Sequence, residues 1–517
     1  GSTYVSNENI IKAIPDGTSR VVTNLSDPVE QDCWLEYDDA YLKLKSNGQT
    51  YNSLTAIYAD AQETDTITVI RDASTPAVLP SNTKNITFDL NGHIVNYTQP
   101  LKNDGTMTIT DNSDEKSGAL NNNSWATDRF IENNGTLTIS AGTISGTACT
   151  VLNKSGKTFT LNAGTITGKT SVVCNYGGTF TMNNGLVSAE HDGEIKAIYT
   201  PWNYSGSETN IKGGKVSVRY TGTLSYAYIA GIYTETSNDT VNVSGGEIEV
   251  AYDSTRYGTV SGIFSYSTLN ITGGHIKVTS RSTSNTFGVN SGRDGNLTID
   301  GANVIIEAHN TESSATTNGA RQEYGETHLK RGTIISTSKN GNTLGFHNDR
   351  STVYVEDGMS ISSHSETQNA YGIWHDDWNY PGTINMTGGN ISATTDASDK
   401  LGIGLMSRYI TVTGGTVYGS SYGINGAISN NNTTITLGVN EPPLYNGVDE
   451  DGEGNVYPAT PEIRGGIYGI NGGYVYFYDG ILKGGSTYVS NENIIKAIPD
   501  GTSRVVTNLS DPVEQDC

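Results

Sequence analysis

TLTISAGTISG at residues 136–146 is followed by TFTLNAGTITG at 158–168, and the same design returns as TVNVSGGEIEV at 240–250. Each copy joins an alternating apolar strand, a glycine turn and a second short strand. Alternation with a period of two assigns the faces: in the third copy Ile248 and Val250 point one way, Glu247 and Glu249 the other. Leu137 and Ile139 are therefore expected to stack beneath Phe159 and Leu161, and these beneath Phe180 and Met182, in one interior column. The turn recurs at Gly142, Gly164, Gly185, Gly214, Gly246, Gly274, Ala302, Gly332, Gly358, Gly389 and Gly415, at spacings of 21 to 32 residues. Those spacings suit one solenoid coil, about 20–30 residues. A third segment closes the coil, as in GIYTETS (231–237), GIFSYS (262–267), GVNSG (288–292), GIWHDD (372–377) and YGINGA (422–427). No coil can bury its apolar side alone, so the coils must stack.

Composition agrees. The 517 residues are 34% hydrophobic and 16% charged, with 61 glycines and 30 tyrosines, a profile of short strands and tight turns rather than helices. Lys and Arg total 31 against 54 Asp and Glu, a net charge of −23, so nucleic acid and acidic bilayers are repelled. No run of 18 apolar residues could span a membrane. The first thirty residues carry no signal peptide, so the chain's start is not expected to be the start of the gene product. Four cysteines, at 33, 149, 174 and 517, lack the spacings of zinc or haem motifs.

Residues 1–33, GSTYVSNENIIKAIPDGTSRVVTNLSDPVEQDC, recur unchanged as residues 485–517. Such an overlap reads as a window onto a tandem array with a period of 517 − 33 = 484 residues. Residues 1–50 are then a connector and cap continuing from a previous module. Residues 51–484 form the solenoid, with a lead-in cap at 51–84 and an insertion loop at 438–461, and 485–517 begin the next module.

Four phrases carry a resemblance: SLTAIYADAQETDTITVIRD (53–72), ITFDLNGHIV (86–95), GTLTISAGTISG (135–146) and YFYDGILKG (476–484). The chain resembles the large surface β-helix repeat proteins of Gram-positive, Clostridia-like bacteria, which are similar to right-handed pectate-lyase-type helices. The resemblance covers most of residues 50–484 and implies a secreted or wall-attached chain, at the cell surface, with a structural or adhesive role. The fold expected is all-β: a right-handed parallel β-helix of about 15 coils, three short strands each, in tandem modules about 70–80 Å long.

Three functions compete. The first is a structural module of a giant extracellular fibre or stalk, its partners identical modules joined head to tail, covalently or as polymer subunits. The second is an adhesin for glycans, because WNY occurs twice and exposed rings stack on sugars: Trp202, Tyr204, Trp374, Trp378 and Tyr380 are the candidates. The third is a polysaccharide lyase or hydrolase, for which His375, Asp376 and Asp377 in WHDDWNYPG (374–382) form the best cluster. That cluster lacks a basic neighbour, and consecutive Asp residues on a strand point to opposite sides, so no enzyme is expected. Asp449, Asp451, Glu453 and Asn455 are closely spaced oxygen donors that would suit a structural Ca²⁺, without the glutamate that completes an EF-hand. Aligning FIENNG (130–135), TVLNKSG (150–156) and SVVCNYGG (171–178) on their last glycine puts Cys174 level with Ile131 and Leu152. That placement predicts two free, buried thiols at Cys149 and Cys174.

Overall fold

The computed structural model describes residues 40–75, 79–122, 129–223, 226–293, 295–375, 382–426, 433–438, 461–477 and 480–490, and the backbone of strands at 494–497, 504–508 and 511–515. The chain is a parallel β-solenoid. Each coil lays down three strands in turn, and each strand pairs in parallel with its counterpart in the coils before and after, giving three sides that we number in chain order. Thr136–Ile139, for example, belongs to the first side, Thr143–Ser145 to the second and Cys149–Asn153 to the third. The third side alone is a sheet of 16 strands.

The interior follows the alternation. Leu137 registers with Phe159 and Phe159 with Phe180, while Ile139 registers with Leu161 and Leu161 with Met182, as the sequence predicts. All six are buried, and the rings of Phe159 and Phe180 stack at 4.9 Å. The second side carries an unbroken column of branched residues, among them Ile248, Ile276, Ile306, Ile334, Ile361 and Ile391. Every turn glycine named above has positive φ, from 77° at Gly214 to 138° at Gly332, a region closed to most side chains. From Thr240 to Ser338 the first and second sides fuse into strands of 13 or 14 residues that bend at this corner.

From Gly231 onward the third segment of the coil owes its glycine to crowding rather than to φ. A Cβ at Gly231, Gly288 or Gly423 would lie 2.6 Å from the Cγ2 of Ile248, Ile306 or Ile463. Gly262, Gly319, Gly345 and Gly372 are tighter still against the same column. The backbone of the third side is thus pressed onto the isoleucines of the second.

One corner is lined with buried polar side chains. The amide of each of Asn82, Asn103, Asn133 and Asn153 donates to the next member of the series, ending at Asn175, over 2.8–2.9 Å. In later coils the position passes to Thr200, Thr234, Ser265 and Ser291.

The expectation of free thiols is corrected: Cys149 and Cys174 form a disulfide between neighbouring coils, with Cα atoms 6.0 Å apart. The final glycine is a poor ruler, because one residue separates Asn133 from Gly135 and two separate Asn153 from Gly156. True register puts Ile131 with Val151 and Val173 in the core, and Leu152 with Cys174 one place on. A shift of one residue reverses the face, so Cys174 joins Cys149, Leu152 and Tyr176 in a small apolar cluster apart from the main core. Cys33 and Cys517 lie outside the described residues.

At its beginning the column is closed by other means. Leu42–Leu44 runs antiparallel to Asp65–Val69, and Thr50–Tyr51 pairs antiparallel with it in turn. A short helix, Leu54–Asp60, is capped by Ser53, whose Oγ accepts the N–H of Ala56 at 3.3 Å. It buries Leu54, Ile57 and Tyr58 against the end of the column.

Candidate functional site

Outward positions of the third side carry the most distinctive chemistry. Tyr199, Tyr233 and Phe264 occupy one outward column on successive coils, with Tyr233 and Phe264 stacked at 4.6 Å. Lys196 lies over this column, its Nζ 4.7 Å from the Tyr199 ring centroid and 4.3 Å from that of Tyr233. The ammonium also meets Glu194 at 3.2 Å and Glu235 at 3.4 Å. Burial, and then the Glu235 carboxylate, hold the Tyr199 phenol well above its ordinary range, and Tyr233 is raised for the same two reasons. Both phenols are therefore neutral hydrogen-bonding groups throughout the physiological range.

Glu235 organises the loop that follows. Its Oε2 accepts the Tyr199 hydroxyl at 3.2 Å and the backbone N–H of Trp202 at 3.1 Å. The Trp202 backbone is thereby fixed while its side chain stands 77% exposed. Tyr204 stacks on Tyr176 at 4.4 Å. The arrangement is an aromatic platform rimmed by a half-buried ion pair, able to take the flat apolar face of a ligand and to offer hydrogen bonds at its edge. Lysine stands between Glu194 and Glu235, where a hydrolytic pair of carboxylates would need an open gap for substrate and water.

Of the other candidates, Trp374 is half-buried on the third side, packed on His347 at 5.2 Å and Tyr371 at 5.3 Å. It lies six rungs from the strand preceding Trp202, about 29 Å at the usual strand spacing, so the two tryptophans form no common site. His375 is buried, its Nδ1 2.8 Å from the Asn348 carbonyl and its Nε2 accepting the Gly382 N–H at 3.2 Å. Both ring nitrogens are engaged by the backbone, as in a strut. Asp376, Asp377, Trp378 and Tyr380 lie outside the described residues, as do Asp449, Asp451, Glu453 and Asn455. Among the described residues no three His, Cys, Asp or Glu side chains converge as a metal site, and no helix is long and apolar enough to cross a membrane.

The sequence reading missed Lys196, Tyr199 and Glu235. A signal was present: IYT occurs in both AIYTPWNY (197–204) and GIYTETS (231–237), and superposing the two copies places Glu235 beside Pro201 and Trp202. A second feature escaped notice, a depression of about 430 Å³ lined by Asp300, Lys330, Arg331, Glu356, Asp357 and Thr387 at the corner between first and second sides. There Arg331 binds Asp300 at 2.8 Å and Lys330 approaches the same carboxylate at 3.9 Å, so these charges are paired across neighbouring coils.

No protein-family model, curated protein or solved structure matches the chain.

Proposed function

We propose that the chain is a structural module of an extracellular fibre or stalk on the cell surface, a stiff rod whose copies are joined head to tail. The observation that supports this reading is the unbroken stack: the third side runs from Ser81–Asn82 to Thr487–Val489 as one sheet of 16 strands. At the usual spacing this is a rod about 75 Å long. Each rung is hydrogen-bonded to the rungs above and below it, so bending must strain three ladders together. The net charge of −23 opposes side-by-side clumping. Electron micrographs of native assemblies should show an axial repeat near one module length; isolated particles without such a repeat would sink the proposal.

A second reading, adhesion to glycans, draws on Trp202. An indole 77% exposed above a fixed backbone has no role in the core. Trp202→Ala should weaken glycan binding by about tenfold, a typical aromatic contribution, with the thermal transition unchanged. Equal binding by the variant and the parent chain across a glycan array removes this reading and leaves the fibre.

A further inference from the structure

The repeated segment is built into the end of the column. The N–H groups of Gly485, Ser486 and Ser490 donate to the carbonyls of Gly465, Ile467 and Ile470 at 3.1, 2.9 and 3.1 Å. Ser490 Oγ accepts the Gly472 N–H at 2.9 Å. Thr487 and Val489 register in parallel with Tyr468 and Ile470 on the third side, and Ile494–Ala497 pairs in parallel with Tyr474–Phe477 on the first. Val489 packs against the interior apolar cluster. GSTYVSNENIIKA, residues 485–497, thus supplies strands of two sides to the closing rung. Residues 1–13 are the same thirteen residues, with Val5 in the place of Val489 and Thr3 in the place of Thr487.

Among the described residues the opposite end shows no such parallel continuation. Leu42–Leu44 is antiparallel to the first strand of the first side, and the helix Leu54–Asp60 lies over the same end. On the first side a neighbouring copy therefore cannot extend a column's finishing edge with its own first strand, because an antiparallel strand already occupies that strand's free edge. What it can bring is its segment 1–13, which carries the same backbone donors and acceptors and, in Val5, the same valine that this edge already accepts from 485–497.

We propose that residues 1–13 of one copy form the closing rung on the Tyr468–Phe477 edge of another, so that consecutive copies share a β-rung belonging to the preceding column. The inference rests on the fibre reading and specifies its joint. Within a single chain the edge is held by that chain's own 485–497, so association between chains is an exchange of identical strands. In a covalent array the two segments are one and the joint forms within the chain.

Val489→Asp in the full chain sets a charge against the apolar interior and loosens the chain's own rung while Val5 stays intact. Sedimentation velocity should then show head-to-tail multimers, about tenfold enriched over the parent at equal concentration because the competing strand is removed, and Val5→Asp added to Val489→Asp should abolish them. A Val489→Asp chain that remains monomeric, or multimers that survive the second substitution, overturns the assignment. An independent variant leaves the rung intact: Thr3→Cys with Tyr468→Cys, oxidised and mapped by mass spectrometry, should yield a cross-link between two copies that neither single substitution yields. Its absence likewise overturns the proposal. Fibres with the modular repeat but neither result would mean a different joint with the fibre reading intact. The cross-link without fibres would mean the reverse.

Discussion

Asn133 shows how one side chain ties three coils together. Its amide donates to Asn153 Oδ1 and to the Thr158 carbonyl, both at 2.8 Å, and its oxygen accepts from Asn103 at 2.9 Å. Removing it strands buried partners above and below, at a cost of about 2–3 kcal/mol. Asn133→Ala should therefore lower amide exchange protection about 100-fold in the adjoining rungs. Asn162→Ala, which breaks the exposed pair with Asn183, should cost about 0.5 kcal/mol or less. Asp111 plays a similar part at another corner. Burial pushes its carboxyl up, but hydrogen bonds from Ser113 and from the backbone N–H groups of Gly118 and Gly92 prevail, and the net direction is down. A depressed folded-state value means that the stabilisation is present above about pH 4, the unfolded value, and is lost as pH falls through the lower folded value. Protection of the Gly92 and Gly118 amides, corrected for intrinsic exchange, should fall on acidification below about pH 4, and Asp111→Asn should abolish that dependence.

The distinctive element of the later coils is the third-side strand with its crowded glycine. Gly345 faces Ile361, and a Cβ there would also come within 2.7 Å of the Gly372 carbonyl. Backbone cannot retreat as a flexible side chain can, so Gly345→Ala should destabilise by about 1–3 kcal/mol as an overpacking substitution, read from the denaturation of the coils on either side. Gly48, with φ of 72° and nothing within 4 Å of its added Cβ, meets only the conformational penalty, about 1–2 kcal/mol. Position on the third side also decides the candidate site. The glycine phrases and the twin WNY motifs are plain in the sequence, yet the contact between Glu235 and Trp202 joins residues 33 apart, brought together by the register that sets Thr200 against Thr234 on neighbouring coils. The cysteines failed for the same cause: a turn one residue longer displaced the alignment and turned a core position into an outward one.

At the scale of the molecule, the rod is a quasi-one-dimensional stack in which each coil touches only its neighbours. Denaturant unfolding should accordingly be broad and depend on the probe, with the exposed finishing rungs losing protection before the coils around Phe159 and Phe180; one sharp transition coincident by all probes would contradict nearest-neighbour stacking. The two ends are built differently, one closed by antiparallel strands and a helix, the other by a parallel rung from the repeated segment that is followed by the antiparallel pair Arg504–Asn508 and Asp511–Gln515. That asymmetry gives an array a direction.

Chain-local physics determined the coil. Alternation with period two assigns each strand's inner face, and glycine permits the positive φ at the corners, so the interior column from Leu137 to Phe180 and the turn positions are legible without any partner in view. Tertiary structure decided what lies beside what. Coil lengths vary from 21 to 32 residues between turns, and the register between neighbours is set by how each turn packs, which no single coil specifies. The Cys149–Cys174 bond, the hold of Glu235 on Trp202 and the place of Val489 in the closing rung all belong to that second class, because each is a contact between coils whose offset exists only once they are stacked.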